Sequence, residues 1–329
     1  MSRPRRVVDI VLLAAGVLLV AATFAGFGGG WWWRFDILSS FRAQYLVAAL
    51  VLGVAAAFRA ALSRHGAAAR SGLLMLAAVA LVNLAAVAPL YRGGREAAAP
   101  GAEPLRIVSF NVQASNPDRS DVMEYLRAAD ADLIFLLESS FEWEDAVERA
   151  GLPYTIASRV PRDRTFGITL LAAEAADARI VRLGPDADPA VAATVVRDGT
   201  AIDVLGVHPV SPTTADRARR RDSVLAEAGL WAAGRGDAVV VVGDLNASPW
   251  SHAFRRLART GGLHNSQRGH GLQPTWPAGW GPLMIPIDHA LHGDGLAVTA
   301  RATGPPLGSD HRPLEVEFAR AAPRVAGEG

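Results

Sequence analysis

The chain has 329 residues, a formal net charge of +1 and no cysteine. That length accommodates one sizeable domain and a further segment, and the lack of Cys excludes disulfides, thiolate metal sites and Cys nucleophiles. All 33 basic residues are Arg, and residues 105–319 hold 21 Arg against 27 Asp plus Glu, a net of −6. Polyanion binding draws on a basic face, so this balance weighs against a nucleic-acid partner.

Up to about residue 90 the chain is mostly Ala, Leu, Val and Gly. Three apolar stretches approach the roughly 20 residues that a bilayer-crossing helix needs. They are 7–29, broken only by Asp9; 45–62, with Arg59 near its end; and 72–90, with Asn83 as its one strongly polar side chain. A cleaved signal peptide would account for the first alone; two more spans favour a multi-pass anchor in the lipid bilayer. Arg3, Arg5 and Arg6 precede the first span, and Arg59, Arg64, His65 and Arg70 mark the second connection. The positive-inside rule then puts the N-terminus in the cytoplasm and the chain after residue 90 outside the cell membrane. Trp31, Trp32 and Trp33, in the first connection beside Arg34, Asp36 and Arg42, read as an interfacial aromatic belt.

The small-residue, Gly and Pro stretch 92–104 reads as a linker. The expected organisation is thus an anchor at 1–91, this linker, a catalytic domain at 105–319 and a disordered tail at 320–329. Apolar runs predict strands at 105–110, 132–137, 167–172, 191–196, 201–207, 238–242, 285–291 and 314–318. Asp198-Gly199 is a tight hairpin signal. Helical periodicity is clearest over 213–233, with shorter candidates at 120–129 and 141–150. Strands partly in hairpins and partly separated by helices predict packed sheets with outer helices.

Polar residues at the ends of the apolar runs carry the chemical information. Asn111 ends the first; Glu138 closes DLIFLLE; His208 follows VLGV; Asp244 and Asn246 follow AVVVVG; Asp288 lies in IPIDHAL; Asp310 and His311 precede the last strand in GSDHRPLEVEF. Each alone has a structural explanation. An Asn or Asp at a strand end caps a turn, a Glu after an apolar run meets water, and a single His is often a hydrogen-bonded core residue.

Together, the order and spacing N…E…H…GDxN…D…SDH resemble the endonuclease/exonuclease/phosphatase superfamily over about residues 105–319. GDLNASP at 243–249 and SDHRP at 309–313 are the specific motifs; SFNVQ at 109–113, LLES at 136–139, VHP at 207–209 and IDHAL at 287–291 support them. The sequence departs from the family where Pro209 follows His208. The resemblance implies an α/β fold: a four-layer α-β-β-α sandwich of two packed mixed sheets, here preceded by three transmembrane helices. It also implies that Asp244 orients or deprotonates the attacking water and that Asn246 holds a phosphate oxygen. By the same resemblance, His311 pairs with Asp288, and His208 contacts the phosphate or serves as acid.

Phosphoester hydrolysis needs a hard cation, a positioned water, charge stabilisation and a leaving-group acid. Glu138 is the best ligand candidate, with Asn111 and Asp310 as further oxygen donors, and such donors favour Mg²⁺ or Mn²⁺ over Zn²⁺. A carboxylate partner would fix the His311 tautomer and give it a pKa useful near neutrality. His289 adjoins Asp288, but strand alternation points it to the opposite face. The run Arg217, Arg219, Arg220 and Arg221 reads as a solvated helix face, and His252, His264, His270 and His292 as surface or structural residues. The loop 273–282, with two Trp among Pro and Gly, is either a hydrophobic lip for substrate or packing.

A domain tethered outside the membrane meets lipid phosphates more readily than DNA or RNA. The arrangement is similar to the membrane-anchored superfamily members linked to glycopeptide resistance, which resemble undecaprenyl-pyrophosphate phosphatases. Hydrolysis of a lipid-linked phosphate or pyrophosphate is the leading expectation. A phospholipase C-like phosphodiesterase, a tethered nuclease and a catalytically silent binding domain are the alternatives. No protein partner is inferred.

Overall fold

Long apolar runs without charge become either helices or strands buried on both faces, and this chain contains both in separate regions. A computed structural model describes residues 3–62, 67–93, 97–160 and 166–323. It divides into two compact units: residues 1–89 with 250–252, and residues 90–249 with 253–329.

In the first unit, α1 (Arg3–Ala25), α3 (Arg42–Leu62) and α4 (Ala67–Val87) are long helices, and α2 (Trp33–Ser39) is a short one. Among the described residues, three segments are long and apolar enough to cross a membrane: Val7–Ala25, Arg42–Ala61 and Arg70–Tyr91. Their polar exceptions find partners within the unit. Arg59 Nη2 lies 2.6 Å from Asp9 Oδ1. Arg42, expected in the first connection, instead opens α3 and is buried, donating from Nη1 to Thr23 O at 2.8 Å and Asn83 Oδ1 at 3.3 Å. Arg64 and His65, invoked for orientation, lie outside the described residues.

The second unit is built on β1 (Leu105–Asn111), β2 (Leu133–Leu137), β3 (Thr155–Val160), β4 (Ile168–Ala172), β5 (Asp177–Leu183) and β6 (Asp188–Arg197). It continues with β7 (Thr200–Val207), β8 (Val239–Asp244), β9 (His264–Asn265), β10 (Asp288–His292), β11 (Leu296–Thr303) and β12 (Leu314–Arg320). Two mixed six-stranded sheets result, ordered β11-β12-β1-β2-β4-β3 and β5-β6-β7-β8-β10-β9. Their facing side chains, including Phe135, Leu170, Val204, Val242, Ala290 and Phe318, form one buried layer. Helices α5 (Arg119–Ala128) and α6 (Phe141–Arg149) cover the outer face of the first sheet through Val122, Leu126, Trp143 and Val147. Helices α7 (Ala215–Ala233) and α8 (His252–Gly261) cover the second through Val224, Leu225, Phe254 and Leu257. This is the four-layer α-β-β-α sandwich expected from the sequence.

Local chemistry explains the punctuation. Thr214 caps α7, its side chain accepting from Arg217 N, as Thr does at an N-cap. Asp198 and Gly199 both take positive φ, 50° and 72°, between the paired Arg197 and Thr200, which is the geometry of a primed hairpin turn. The stretch 92–104, expected as a linker, is in part built into the domain. Ala98 bridges to Ala321, and Ala99 N donates to Arg320 O at 2.8 Å, so the ordered sheet system also reaches past residue 319 into the expected tail.

Candidate active site

The sheet registers bring the chemistry-bearing residues to one edge of the sandwich. β1 runs parallel to β2, and β7 parallel to β8, so Asn111, Glu138, His208 and Asp244 all sit at strand C-terminal ends. β10 is antiparallel to β8 with Asp288 directly opposite Asp244, and β12 is antiparallel to β1 with Leu314 opposite Ser109. The starts of β10 and β12 therefore reach the same edge, carrying Asp288 and the loop with Asp310 and His311.

Seven of the eight expected residues join one hydrogen-bonded and charged cluster. Asn111 Nδ2 donates to Glu138 Oε1 at 3.0 Å and, across the two sheets, to Asp244 Oδ2 at 3.2 Å. His208 lies between the same carboxylates, Nε2 at 3.5 Å from Glu138 Oε1 and Nδ1 at 3.5 Å from Asp244 Oδ2. Asn246 N donates to Asp244 Oδ1 at 2.9 Å, and Asn246 Nδ2 to Pro209 O at 3.1 Å. The proline after His208 thus contributes its carbonyl to the cluster. Asp288 Oδ2 holds His311 Nδ1 at 2.9 Å, and His311 Nε2 lies 3.6 Å from Asp244 Oδ2. Asp310 stands apart: its Oδ2 accepts from Trp276 Nε1 at 3.1 Å, and its N–H donates to Gln113 Oε1 at 3.3 Å.

Backbone strain concentrates here. Gln113, Glu138 and Asn246 hold positive φ of 54°, 56° and 48°, a conformation that costs a non-glycine residue energy and clusters at functional sites. Gly243, with φ 146°, has no such latitude to become larger: a Cβ there would overlap Val207 O.

Electrostatics follow from five titratable groups sharing a buried space. Burial alone would raise the Glu138 carboxyl, but His208, Asn111 and His311 together hold it below its ordinary value. Burial opposes protonation of His208, yet Glu138 and Asp244 raise its pKa. Burial and the Asp288 charge raise Asp244 over the opposing pull of His311 and His208. In the ion pair, Asp288 is lowered despite its burial, and His311, against burial, is pushed up to about 10 by Asp288 and Asp244. The expected near-neutral titration of His311 is therefore displaced well upward, because two carboxylates surround it.

The donors are oxygens and imidazole nitrogens, three of them carboxylates, and Asp288 Oδ1 is buried without a hydrogen-bond partner. Asp244, Asp288 and His311 offer ligand atoms within 4.8 Å of one another. This set fits a hard divalent cation. His311 Nδ1 is already engaged by Asp288, and those three side chains are closed in, whereas the Glu138 side chain keeps 20% of its surface open. Glu138 is the more accessible landing point.

Other residues that hold this arrangement escaped the sequence reading. Ser309 Oγ donates to Asn111 O at 2.7 Å and accepts from His311 N at 3.0 Å, fastening the two loops together. Thr275 Oγ1 accepts from Ile287 N and Asp288 N, both at 3.3 Å. Within the arginine run, Arg219 is solvated, but Arg221 is buried, with Nη1 donating to Asn246 O at 2.9 Å and Nε to Asp222 at 2.8 Å. The helical period could have separated Arg221, three residues before Val224 on the apolar stripe. Arg221→Met, which keeps the length and removes the donor, is expected to cost roughly 1–3 kcal/mol, read as a lower denaturation midpoint at unchanged m-value.

His289 faces away from the cluster, as alternation required, with Nε2 donating to Ala247 O at 3.0 Å and Pro286 O at 3.2 Å. Burial, and secondarily Arg301, push its pKa down to about 3. The unfolded chain, with its His near 6.5, binds the proton first, so stability from this group is complete above pH 6.5 and lost on acidification towards 3. His289→Gln keeps a donor at that position. It should flatten the acid limb of a melting-temperature profile between pH 6.5 and 4; an unchanged limb would assign it to other groups.

Residues 108–311 match the Endonuclease/Exonuclease/phosphatase family. No curated protein matches the chain. Among solved structures, the human Nocturnin catalytic domain with bound sulfate is 17% identical, with a TM-score of 0.54 over 66% of this chain and 94% of that one. The Neisseria 3′ phosphatase NExo bound to product DNA hairpin is 20% identical, TM-score 0.54, covering 65% and 99%. Humanized D. rerio TDP2 is 16% identical, TM-score 0.53, covering 65% and 98%. At these identities the likeness is one of fold, and the fold and the sequence match agree: the chain belongs to the endonuclease/exonuclease/phosphatase family.

Proposed function

We propose that this protein is a membrane-anchored, metal-dependent phosphoesterase acting on a lipid-linked phosphate or pyrophosphate. The observation that carries the hydrolase reading is the convergence of Asn111, Glu138, His208, Asp244, Asn246, Asp288 and His311 on one edge, with His311 Nδ1 2.9 Å from Asp288 Oδ2. A binding module has no need of two imidazoles braced by three carboxylates.

Magnitudes divide the roles. An imidazole with a pKa near 10 stays cationic at pH 7, so His311 supplies positive charge to a phosphate oxygen and is a poor base. Asp244, with its carboxyl raised by burial, takes the proton of the attacking water. His208, also raised, returns a proton to the leaving oxygen, which balances the step. Asn246, whose amide donates to Pro209 O, would turn that amide to a phosphate oxygen when substrate binds. Glu138 and Asn111 would hold Mg²⁺ or Mn²⁺, and Asp310, whose carboxylate is engaged by Trp276, leaves the expected ligand set. The bound cation would polarise a phosphoryl oxygen and offset its developing charge.

Three apolar helices, the net −6 balance of residues 105–319 and the sequence resemblance to membrane-anchored superfamily members support a lipid-linked substrate. A nucleic-acid phosphodiester is the second reading, because the NExo and TDP2 folds include structures holding DNA products. The full chain in detergent micelles, with Mg²⁺ or Mn²⁺, should release phosphate from prenyl pyrophosphates faster than it cleaves sphingomyelin-type lipids or plasmid DNA. Preference for plasmid DNA would replace the lipid reading with a tethered nuclease. Inactivity on every member of the panel and on aryl phosphates would remove the enzyme reading. A topology reporter fused after residue 104 should report an extracytoplasmic position, and a cytoplasmic signal would favour the nuclease.

A further inference from the structure

Beside His311 a short loop, residues 277–284, is fastened at its base and apolar at its tip. Its base closes by the Trp276–Ile285 bridge, with Thr275 N and Trp276 N both donating to Ile285 O at 3.1 Å. It is joined to the site by Ala278 N to Asp310 O at 2.7 Å, Arg312 N to Thr275 O at 3.0 Å and Trp276 Nε1 to Asp310 Oδ2 at 3.1 Å. The Trp276 ring centre is 6.5 Å from that of His311. Within the loop, Trp280 N bonds Pro277 O and Leu283 N bonds Trp280 O, both at 3.2 Å. Such a loop is ordered by its backbone, and does not need its large side chains for packing. Met284 and Ile285 are buried, yet Trp280 is 63% exposed and Leu283 54%.

The apolar surface continues around the polar centre. The ring of the half-buried Phe166 is centred 6.3 Å from that of His208. Phe141, three residues past Glu138, is 54% exposed. Trp276, at the base of the 277–284 loop, and Phe166 thus set rings beside His311 and His208, and Phe141 opens α6 three residues after Glu138. Exposed apolar groups gathered at one site mark a binding surface. A ligand complementary to a cationic, metal-binding centre rimmed by hydrocarbon is one that joins phosphate to a hydrocarbon chain.

We propose that Trp280, Leu283, Phe141 and Phe166 form the subsite for the first segment of the substrate's hydrocarbon chain, a proposal that rests on reading the polar centre as a phosphoesterase. The occupant is the chain of the phosphate ester being cleaved, and the subsite sets preference for long-chain over short-chain esters. Burying methylenes against such a rim is worth roughly tenfold or more in selectivity.

The test compares phosphate release from isopentenyl and farnesyl pyrophosphate, which share a head group and differ in hydrocarbon length, by the full chain in detergent with Mg²⁺. Wild type should favour the farnesyl compound in kcat/KM, and the Trp280→Ser/Leu283→Ser double variant should lower that ratio about tenfold. Because these positions are exposed, the variant should melt as wild type does. A ratio unchanged in the variant overturns the subsite, as does wild-type turnover of both compounds without preference; either leaves the hydrolase reading standing. A ratio that changes only when substrate is presented in vesicles, and not when dissolved as monomer, assigns the loop to membrane docking and overturns chain binding. If wild type releases phosphate from neither compound, nor from an aryl phosphate, the hydrolase reading fails and the subsite falls with it.

Discussion

His311→Asn is expected to lower kcat by about 10²–10³, the range for loss of a group that stabilises developing charge, while the protein still unfolds cooperatively. An amide can still face Asp288, which matters because that carboxylate is fully enclosed. Removing one member of a buried pair outright costs roughly 3–5 kcal/mol, so His311→Ala would mix catalytic and folding effects. The charge partner gives the sharper test. Asp288 is the largest favourable influence holding His311 up at about 10. In Asp288→Asn that support goes, and the imidazole should titrate nearer 6.5. Activity that requires the cation would then be lost at a lower pH than in wild type. The His311 contribution to stability has the same sign: full below 6.5, lost as pH rises through 10, while that of Asp288, whose pKa is lowered, is lost in acid. An alkaline limb unmoved by Asp288→Asn would show that the His311 charge is not what the reaction uses.

Glu138→Gln should reduce kcat/KM by roughly 10²–10³ and raise the divalent cation concentration needed for half-maximal rate. Metal stabilisation of developing phosphoryl charge is worth several kcal/mol, and each 1.36 kcal/mol is tenfold in rate. The substitution preserves size and a hydrogen-bonding end next to Asn111, so the melting temperature should change little. Chelation of wild type should abolish turnover, and Mg²⁺ or Mn²⁺ should restore it. A rate and metal requirement near wild type in Glu138→Gln would move the cation site to Asp244 and Asp288, whose ligand atoms gather around His311.

The polar strand ends were legible in the sequence because each follows a run buried on both faces, so the change from apolar to polar is abrupt. DLIFLLE and AVVVVGD state where β2 and β8 end almost to the residue. The four strands missed in the sequence, β3, β5, β9 and β11, are the four edge strands of the two sheets. An edge strand is half solvated: β5, DARIVRL, buries only Leu183, and β9 is two residues long. Neither offers the continuous apolar signal on which strand recognition depends. Helix α8 was hidden similarly, because its buried Ala253, Phe254 and Leu257 are set among Arg255, Arg256 and Arg259.

Composition and motif alone determined the class of this molecule: three apolar spans, a sheet-rich domain and an ordered set of oxygen and imidazole donors. Local sequence carries such information because span length, turn chemistry and strand burial are local properties. Only the tertiary structure decided which donors share one space. Antiparallel pairing of β10 with β8 and of β12 with β1 brings Asp288 and His311, separated by 23 residues, to 2.9 Å, and places both beside Asp244. The same convergence set Asp310 aside on Trp276, buried Arg221 beneath Asn246, and raised His311 far above neutrality. Those outcomes depend on distances between strands far apart in the chain, and charge and desolvation act through distance.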